Sequence, residues 1–392
     1  MKRIITLLLS VTLALCSFGT RANAEVAEFV LNYDVSAAML VEYETGEVLY
    51  SHNETKRVPI ASITKIMTLI LAFEAIESGA MSYSDVITIS ENASAMGGSG
   101  VFLHTGEQVS VEDLFKAIIV ASANDACVAM AETVAGSQSQ FVVLMNNKAK
   151  QLGMTDTNFV NCHGLPDTGY YSCARDVATM SRELMRHEDY FKWSSIWLDT
   201  MDSIRNKTII TNTNKLVRFY NGCDGTKTGF TNDAMHCVSA SAKRNGVRYI
   251  AIVLGAKSSQ ERFDLARELL NYGFANYKTV TVVKKGQQFD GASNLKVSLG
   301  NIDTINGLAA QDVIRVAEMA ARVDYTVTSV PDQFITAPIN EGDVIGHFIV
   351  YANGKEIAKI DMLASCAVSK LAYGDYLSKM MGIWLYFNGN NG

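Results

Sequence analysis

The order of apolar and polar positions along this chain changes character three times. Near the start, an apolar run at 38–43 meets the polar turn Glu44-Thr45-Gly46-Glu47 and returns through Val48-Leu49-Tyr50. That pattern predicts a hairpin over 36–50. After Pro59, the residues Ile63, Ile66, Met67, Ile70 and Leu71 recur at i, i+3, i+4, i+7 and i+8. This spacing predicts a helix with one apolar face. Further helical patterns cover roughly 111–135, 139–152 and 174–187. Two strand-like runs follow at 233–241 and 247–255, with Arg244-Asn245-Gly246 as the turn between them. A helical pattern over 259–272 closes this part of the chain.

The texture turns β-rich near residue 278. Apolar, β-branched runs at 279–283, 295–299, 325–330 and 346–352 are followed by Asn353-Gly354, which turns the chain into 356–361. The composition predicts a small all-β domain over 278–366, within which 311–322 is open between helix and strand. The tail differs again. Tyr376, Leu377, Met380, Met381, Ile383, Trp384 and Phe387 share one helical face, with Asp375 and Lys379 opposite. The run is too short and too polar to span a bilayer. It fits a helix lying in a membrane interface, the alternative being a terminal helix docked on the protein's own core.

Residues 1–24 are read separately. Lys2 and Arg3 precede an apolar stretch over 4–18, and Ala22-Asn23-Ala24 forms a small-x-small cleavage site. This is the pattern of a secretory signal peptide, with an N-terminal membrane anchor as the alternative. Its removal takes away Lys2, Arg3 and Arg21 and no acid, moving the formal charge from −6 to −9. Of the 392 residues, 48% are hydrophobic and 19% charged, which excludes bulk disorder. No basic stripe interleaved with aromatics occurs, so nucleic acid is not an expected partner. Six cysteines remain after residue 24, with no C-x-x-C and no Cys/His ligand spacing, which argues against structural zinc. A Cys162–Cys173 bridge and buried free thiols both remain open.

The chemistry-bearing pattern begins at Ser62-Ile63-Thr64-Lys65, an S-x-x-K at a predicted helix start. Residues three apart on a helix lie ~5–6 Å apart at Cβ, so Lys65 can reach the Ser62 hydroxyl. A serine needs a base to become a nucleophile. A lysine serves as that base when burial or a second cation lowers its pKa. One such tetrapeptide is a weak signal. Two further elements strengthen it: Ser122-Ala123-Asn124, before a helix, and Lys227-Thr228-Gly229, just before the strand hairpin. The order S-x-x-K, S-x-N, K-T-G is that of serine acyl-transferases that react with penicillin.

With these motifs the chain resembles the low-molecular-weight penicillin-binding proteins, specifically the D-alanyl-D-alanine carboxypeptidases of peptidase family S11. The resemblance runs from about residue 34 to 277. Beyond the three motifs its carriers are Gly97-Gly98-Ser99-Gly100, His163-Gly164-Leu165, Tyr171-Ser172-Cys173-Ala174-Arg175-Asp176 and Gly225-Thr226 through Phe230-Thr231. It implies a mixed α/β (α+β) catalytic domain of the serine β-lactamase/transpeptidase kind, an antiparallel sheet flanked by helices, over 25–277. A small all-β domain (278–366) and an amphipathic, membrane-associating tail (367–392) would follow. Ser62 would be the acylated nucleophile, Lys65 its general base and Ser122 the proton relay to the leaving amine. Asn124 would hold the substrate amide and support Lys65. Lys227, Thr228 and Gly229 would line the site for the substrate's terminal carboxylate, and the backbone N–H groups of Ser62 and Phe230 would form the oxyanion hole. Arg262 falls where the family has a carboxylate-binding arginine; a helix-surface arginine beside Glu261 is the alternative. His163 aligns with a histidine near the site in some members, or is an ordinary loop histidine. Where the family usually has a glycine after Phe230-Thr231, this chain has Met235, which would narrow the cleft.

The function so implied is a serine-type D-Ala-D-Ala carboxypeptidase. It would trim peptidoglycan stem pentapeptides through an acyl-enzyme, with β-lactam antibiotics as covalent inhibitors and no metal or organic cofactor. It would act at the outer face of the cytoplasmic membrane, held to the membrane surface by its tail. A D,D-endopeptidase and a penicillin-binding sensor without turnover are the alternatives. A class A β-lactamase is disfavoured, because no glutamate occurs between Glu132 and Glu183 to activate the deacylating water.

Overall fold

Strand residues in this protein sort by parity, and that sorting builds its main sheet. The computed structural model describes residues 26–201, 204–205, 207–374 and 380–381. The predicted leader and most of the predicted tail (375–379 and 382–392) lie outside the described residues. The chain divides into two compact units, Phe29–Thr279 and the residues from Val280 onward.

In the first unit, β1 (Ala37–Glu42) and β2 (Val48–His52) form the predicted hairpin. They join β3 (Cys223–Thr231), β4 (Met235–Arg244) and β5 (Val247–Ala256) in an antiparallel sheet of order β2-β1-β5-β4-β3. Successive side chains of a strand point to opposite faces. Met39, Val41, Ile250, Ile252 and Leu254 accordingly enter one apolar cluster, while Ala38, Leu40, Tyr249, Ala251 and Val253 enter the other. Both faces are covered, so every residue of β1 is buried. The turn Asn245-Gly246 between β4 and β5 has both residues at positive φ, 51° and 84°, as a tight two-residue hairpin turn requires.

Five helices flank the sheet: α1 (Lys65–Glu77), α2 (Asn124–Ala135), α3 (Gln138–Gln151), α4 (Ala174–Leu184) and α5 (Ser259–Asn276). The first four contribute to one cluster and α5 to the other, through Phe263, Leu265, Ala266, Leu269 and Leu270. Serine side chains cap α3 and α5: Ser137 accepts from Gln140 N and Ser258 from Glu261 N. The spacing in α1 predicts one apolar face, but its first nine residues are buried all round because α1 is a central helix.

Two sequence expectations change. The 111–135 stretch is not one helix. A helical turn, Val111–Lys116, runs into a π turn, Ala117–Ala121, which ends at Ser122 in the left-handed region (φ 61°, ψ 33°) before α2 begins. And Lys227-Thr228-Gly229 does not precede the hairpin; it lies within β3, the edge strand, paired with β4.

In the second unit, β6 (Gly307–Ala309), β7 (Tyr325–Pro331), β8 (Val344–Ala352) and β9 (Lys355–Ala364) form an antiparallel sheet of order β6-β9-β8-β7. Phe348, Val350, Ile360 and Met362 supply its core. The ambiguous 311–322 stretch contains a strand, Val313–Glu318. Asn353-Gly354 makes the predicted hairpin turn, again with both φ positive (50° and 78°). No helix among the described residues is long and apolar enough to cross a membrane.

Phe115 leads into the π turn and lies between Phe73 (ring centroids 4.5 Å) and Trp193 (5.7 Å, rings 8° from parallel). It is fully buried. Phe115→Ala is expected to cost about 3–5 kcal/mol of stability. Urea unfolding beside the parent protein checks this, and a loss below about 1 kcal/mol would mean the cavity collapses.

Candidate active site

The site starts from a turn that would not hold itself. Ala61–Thr64 form a 3₁₀ turn that runs directly into α1, so Ser62 lies in the turn and Lys65 opens the helix. Ala61 has φ 47°, a conformation that costs an L-residue about 1–2 kcal/mol. The Tyr170 hydroxyl braces it. It donates to Ala61 O (3.0 Å) and accepts from Ile60 N (3.0 Å) and Thr64 Oγ1 (3.2 Å). Gly164, at φ 83°, packs so closely on the Ala61 carbonyl that a Cβ there would overlap it.

Lys65 is fully buried, while Ser62 is partly open to solvent. The Lys65 Nζ lies 2.8 Å from Ser62 Oγ, 2.7 Å from Asn124 Oδ1 and 2.6 Å from the His163 carbonyl. The last two partners can only accept, so they fix two N–H donors. The third position faces a hydroxyl that can donate. A neutral amine therefore satisfies all three contacts, with its lone pair on the Ser62 hydroxyl. Burial pulls the Lys65 pKa below the usual ammonium range, against smaller opposing contributions from Cys127, Cys162 and Asp125.

Ser122 and Asn124 come from the junction between the π turn and α2, and Ser122 is buried. Asn124 uses its oxygen on Lys65 and donates Nδ2 to Gly97 O (2.7 Å). Its backbone N donates to Ser99 O (2.7 Å), and Asp125 accepts from Val101 N (3.0 Å) and Leu103 N (3.1 Å). The Gly97-Gly98-Ser99-Gly100 segment is thereby tied to the start of α2. At Gly98 a Cβ would come within 2.8 Å of Asn124 Nδ2.

The third segment is β3. Gly229 faces the Ser62 turn: a Cβ there would lie 2.7 Å from Ile60 O and 3.0 Å from Ser62 N, so only glycine lets the strand approach. Lys227 is buried and donates to Thr228 O (3.0 Å). Its pKa lies well below the usual range, first through burial and then through the charges of Lys65 and Arg262. Thr228 Oγ1 lies 2.7 Å from Thr213 Oγ1, and Thr213 N donates to Val120 O (3.4 Å). Thr213 thus bridges β3 and the segment entering Ser122. It is held by buried neighbours: Asn212 donates to Ser194 O and Ile196 O, and Asn214 to Gly225 O.

Arg262 is buried rather than on the surface of α5, and Nη1 donates to Gly229 O (3.0 Å) and Cys237 O (3.2 Å). Burial lowers its pKa to about 10. The Phe230 side chain is exposed and stacks on His236 (4.4 Å). His163 meets Lys65 through its carbonyl, not its ring; the ring Nδ1 accepts from Leu165 N (3.2 Å). Burial, then the Lys65 charge, takes the imidazole pKa down to about 4. Met235 has φ 54°, which accounts for a glycine being usual there, and its side chain reaches solvent. Cys162 and Cys173 are both buried free thiols. Among the described residues, no group of three or more His, Cys, Asp or Glu could hold a metal ion.

The structure therefore gathers the S-x-x-K, S-x-N and K-T-G segments at one place. Tyr170 and Thr213 also belong to this framework and carry no motif of their own. No spacing rule marks Tyr170; the polar run Thr211-Asn212-Thr213-Asn214 was the one visible hint of a buttressed loop.

The D-alanyl-D-alanine carboxypeptidase family matches residues 22–258, and the C-terminal domain of penicillin-binding protein 5 matches 277–370. The chain is 35% identical over 393 residues to D-alanyl-D-alanine carboxypeptidase DacF of Bacillus subtilis (strain 168), covering 99% of this chain and 100% of the relative. It is similar to the crystal structure of penicillin binding protein 5 from Haemophilus influenzae, with TM-score 0.74 and 30% identity over 88% of this chain and 100% of that one. Penicillin-Binding Protein D2 from Listeria monocytogenes, solved in an ampicillin-bound form, aligns with TM-score 0.57 and 33% identity over 63% of this chain and 100% of that one. This chain belongs to the D-alanyl-D-alanine carboxypeptidases, the serine peptidases of family S11.

Proposed function

We propose that Ser62 is the acylated nucleophile of this carboxypeptidase and Lys65 its general base, acting on peptidoglycan stem pentapeptides. The observation that carries the reading is the buried Lys65 amine, two of whose contacts are pure acceptors while the third is the Ser62 hydroxyl. Lys65 takes the Ser62 proton as Oγ adds to the carbonyl of the penultimate D-alanine. The backbone N–H groups of Ser62 and Phe230 hold the oxyanion. Ser122 passes the proton to the departing amine, and D-alanine leaves. Water, deprotonated by Lys65, then cleaves the ester. Asn124 holds the substrate amide. Lys227, Thr228 and Gly229, with the charge of Arg262 behind β3, receive the terminal carboxylate. β-Lactams acylate the same serine.

Cell-wall substrate and the leader-like pattern at 1–24 together support export. The amphipathic pattern of the tail supports attachment at the outer face of the cytoplasmic membrane. The endopeptidase and sensor readings gain no specific observation.

Ser62→Ala is expected to abolish both labelling by a fluorescent penicillin and release of D-alanine from a D-Ala-D-Ala pentapeptide; either one surviving rejects the assignment. The active form of Lys65 is unprotonated, so kcat/KM for acylation should climb with pH as its lowered pKa is passed. Lys65→Arg, which cannot lose its proton, should reduce acylation by about 10²–10⁴-fold and flatten that rising limb. A variant with wild-type pH dependence would assign the base elsewhere. Thr213→Val should raise KM about threefold to tenfold, the worth of one hydrogen bond, with kcat little changed and Thr213→Ser restoring KM. An equal fall in kcat and kcat/KM would instead place Thr213 in the chemical step.

A further inference from the structure

Beside the far end of β3 lies a cavity of about 470 Å³ that the proposed mechanism leaves unused. Pro59, Pro166 and Tyr170 form its apolar and aromatic wall, and Thr231, Asp233 and Asp167 its polar side. Both carboxylates are exposed, and among the described residues neither has a lysine or arginine as an ion-pair partner. The cavity belongs to the same framework as the Ser62 turn, since Tyr170 braces that turn through Ile60 and Ala61.

Its place along the strand assigns it to one part of an extended substrate. β3 is an edge strand and runs from Lys227 to Thr231. In the proposed mode the terminal carboxylate sits at Thr228 and the scissile carbonyl beside Gly229 and Ser62. A peptide laid antiparallel on β3 advances about 3.4 Å per residue. The residue on the amino side of the D-alanyl pair then falls opposite Thr231, at the mouth of the cavity. A long side chain at that position enters a space where the unpaired charges are negative.

Resting on the carboxypeptidase reading, we infer that this cavity receives a side-chain ammonium on the residue preceding the D-alanyl pair, so that stem peptides with a free diamino-acid side chain are the favoured substrates. Asp167 and Asp233 supply the attraction, and Pro59, Pro166 and Tyr170 pack along the aliphatic stem that carries the amine.

The test compares D-alanine release from Nα-acetyl-L-Lys-D-Ala-D-Ala with that from Nα,Nε-diacetyl-L-Lys-D-Ala-D-Ala and Nα-acetyl-Nε-succinyl-L-Lys-D-Ala-D-Ala. The full chain should favour the free amine over the diacetyl peptide by about threefold to tenfold in kcat/KM, the range of one or two solvent-exposed ion pairs, and the preference should shrink as salt rises. In Asp167→Asn/Asp233→Asn the ratio should fall to about one. Asp233→Lys should invert the order in favour of the succinylated peptide, an outcome that misfolding cannot produce. Equal rates on the free and diacetylated peptides, or a preference that survives the double substitution, overturns the inference. Absence of D-alanine from all three peptides overturns the carboxypeptidase reading itself, and the inference with it.

Discussion

A lysine amine buried without a contacting carboxylate is the constraint around which this site is organised. Moving an ammonium into a protein interior costs several kcal/mol unless an opposite charge meets it. The contacts of Lys65 are a hydroxyl, an amide oxygen and a peptide carbonyl. Asp125, the nearby acid, has its oxygens on the backbone N–H groups of Val101 and Leu103 instead. The fold therefore disfavours the charge rather than neutralising it with a carboxylate. The amine is at hydrogen-bond distance from the partly exposed Ser62 hydroxyl.

Lys227 repeats the problem nearby and resolves it differently. It too is buried, and the positive charges of Lys65 and Arg262 add to the burial in lowering its pKa. Three potential cations thus converge on β3 and the Ser62 turn. In the proposed binding mode an incoming carboxylate is the missing partner, and it would favour the charged forms of Lys227 and Arg262.

The parts of this arrangement that were legible in the sequence are those governed by local rules. The Asn-Gly turns need positive φ at both positions, and both adopt it. The three-residue spacing of Ser62 and Lys65 is sufficient to bring them together wherever the helix packs. What was not legible depends on tertiary partners. β3 reads Cys-Asp-Gly-Thr-Lys-Thr-Gly-Phe-Thr, too polar and glycine-rich to resemble a strand, because its glycines serve close approach rather than propensity. The apolar run at Ala117–Ala121 has the same composition whether it winds as an α or a π turn. Tyr170 and Thr213 lie about a hundred residues from Ser62 and Ser122 along the chain and matter only through what they touch. The burial of Arg262 came only through the resemblance, because helix periodicity left a surface arginine beside Glu261 equally open and does not reveal that α5 packs against β4.

Backbone strain follows the same logic. Ala61, Ser122 and Met235 all sit at positive φ, and each flanks one of the three converging segments. None is a glycine, so each is held against its own preference by about 1–2 kcal/mol. The restraints are specific. Tyr170 clamps Ala61; Ala123 N on Ala117 O and Asn124 N on Ser99 O hold the backbone just after Ser122; Ala234 N on Thr231 Oγ1 holds the turn before Met235. A serine that continued the preceding helix would point its hydroxyl along that helix. Forced into the left-handed region, Ser122 instead breaks the run and lets Asn124 start a new helix with its side chain on Lys65. At Ala61 and Ser122 the strained backbone lets two separate segments meet at the Lys65 amine, and in the proposed mechanism the buried hydrogen bonds that hold it position the groups that react.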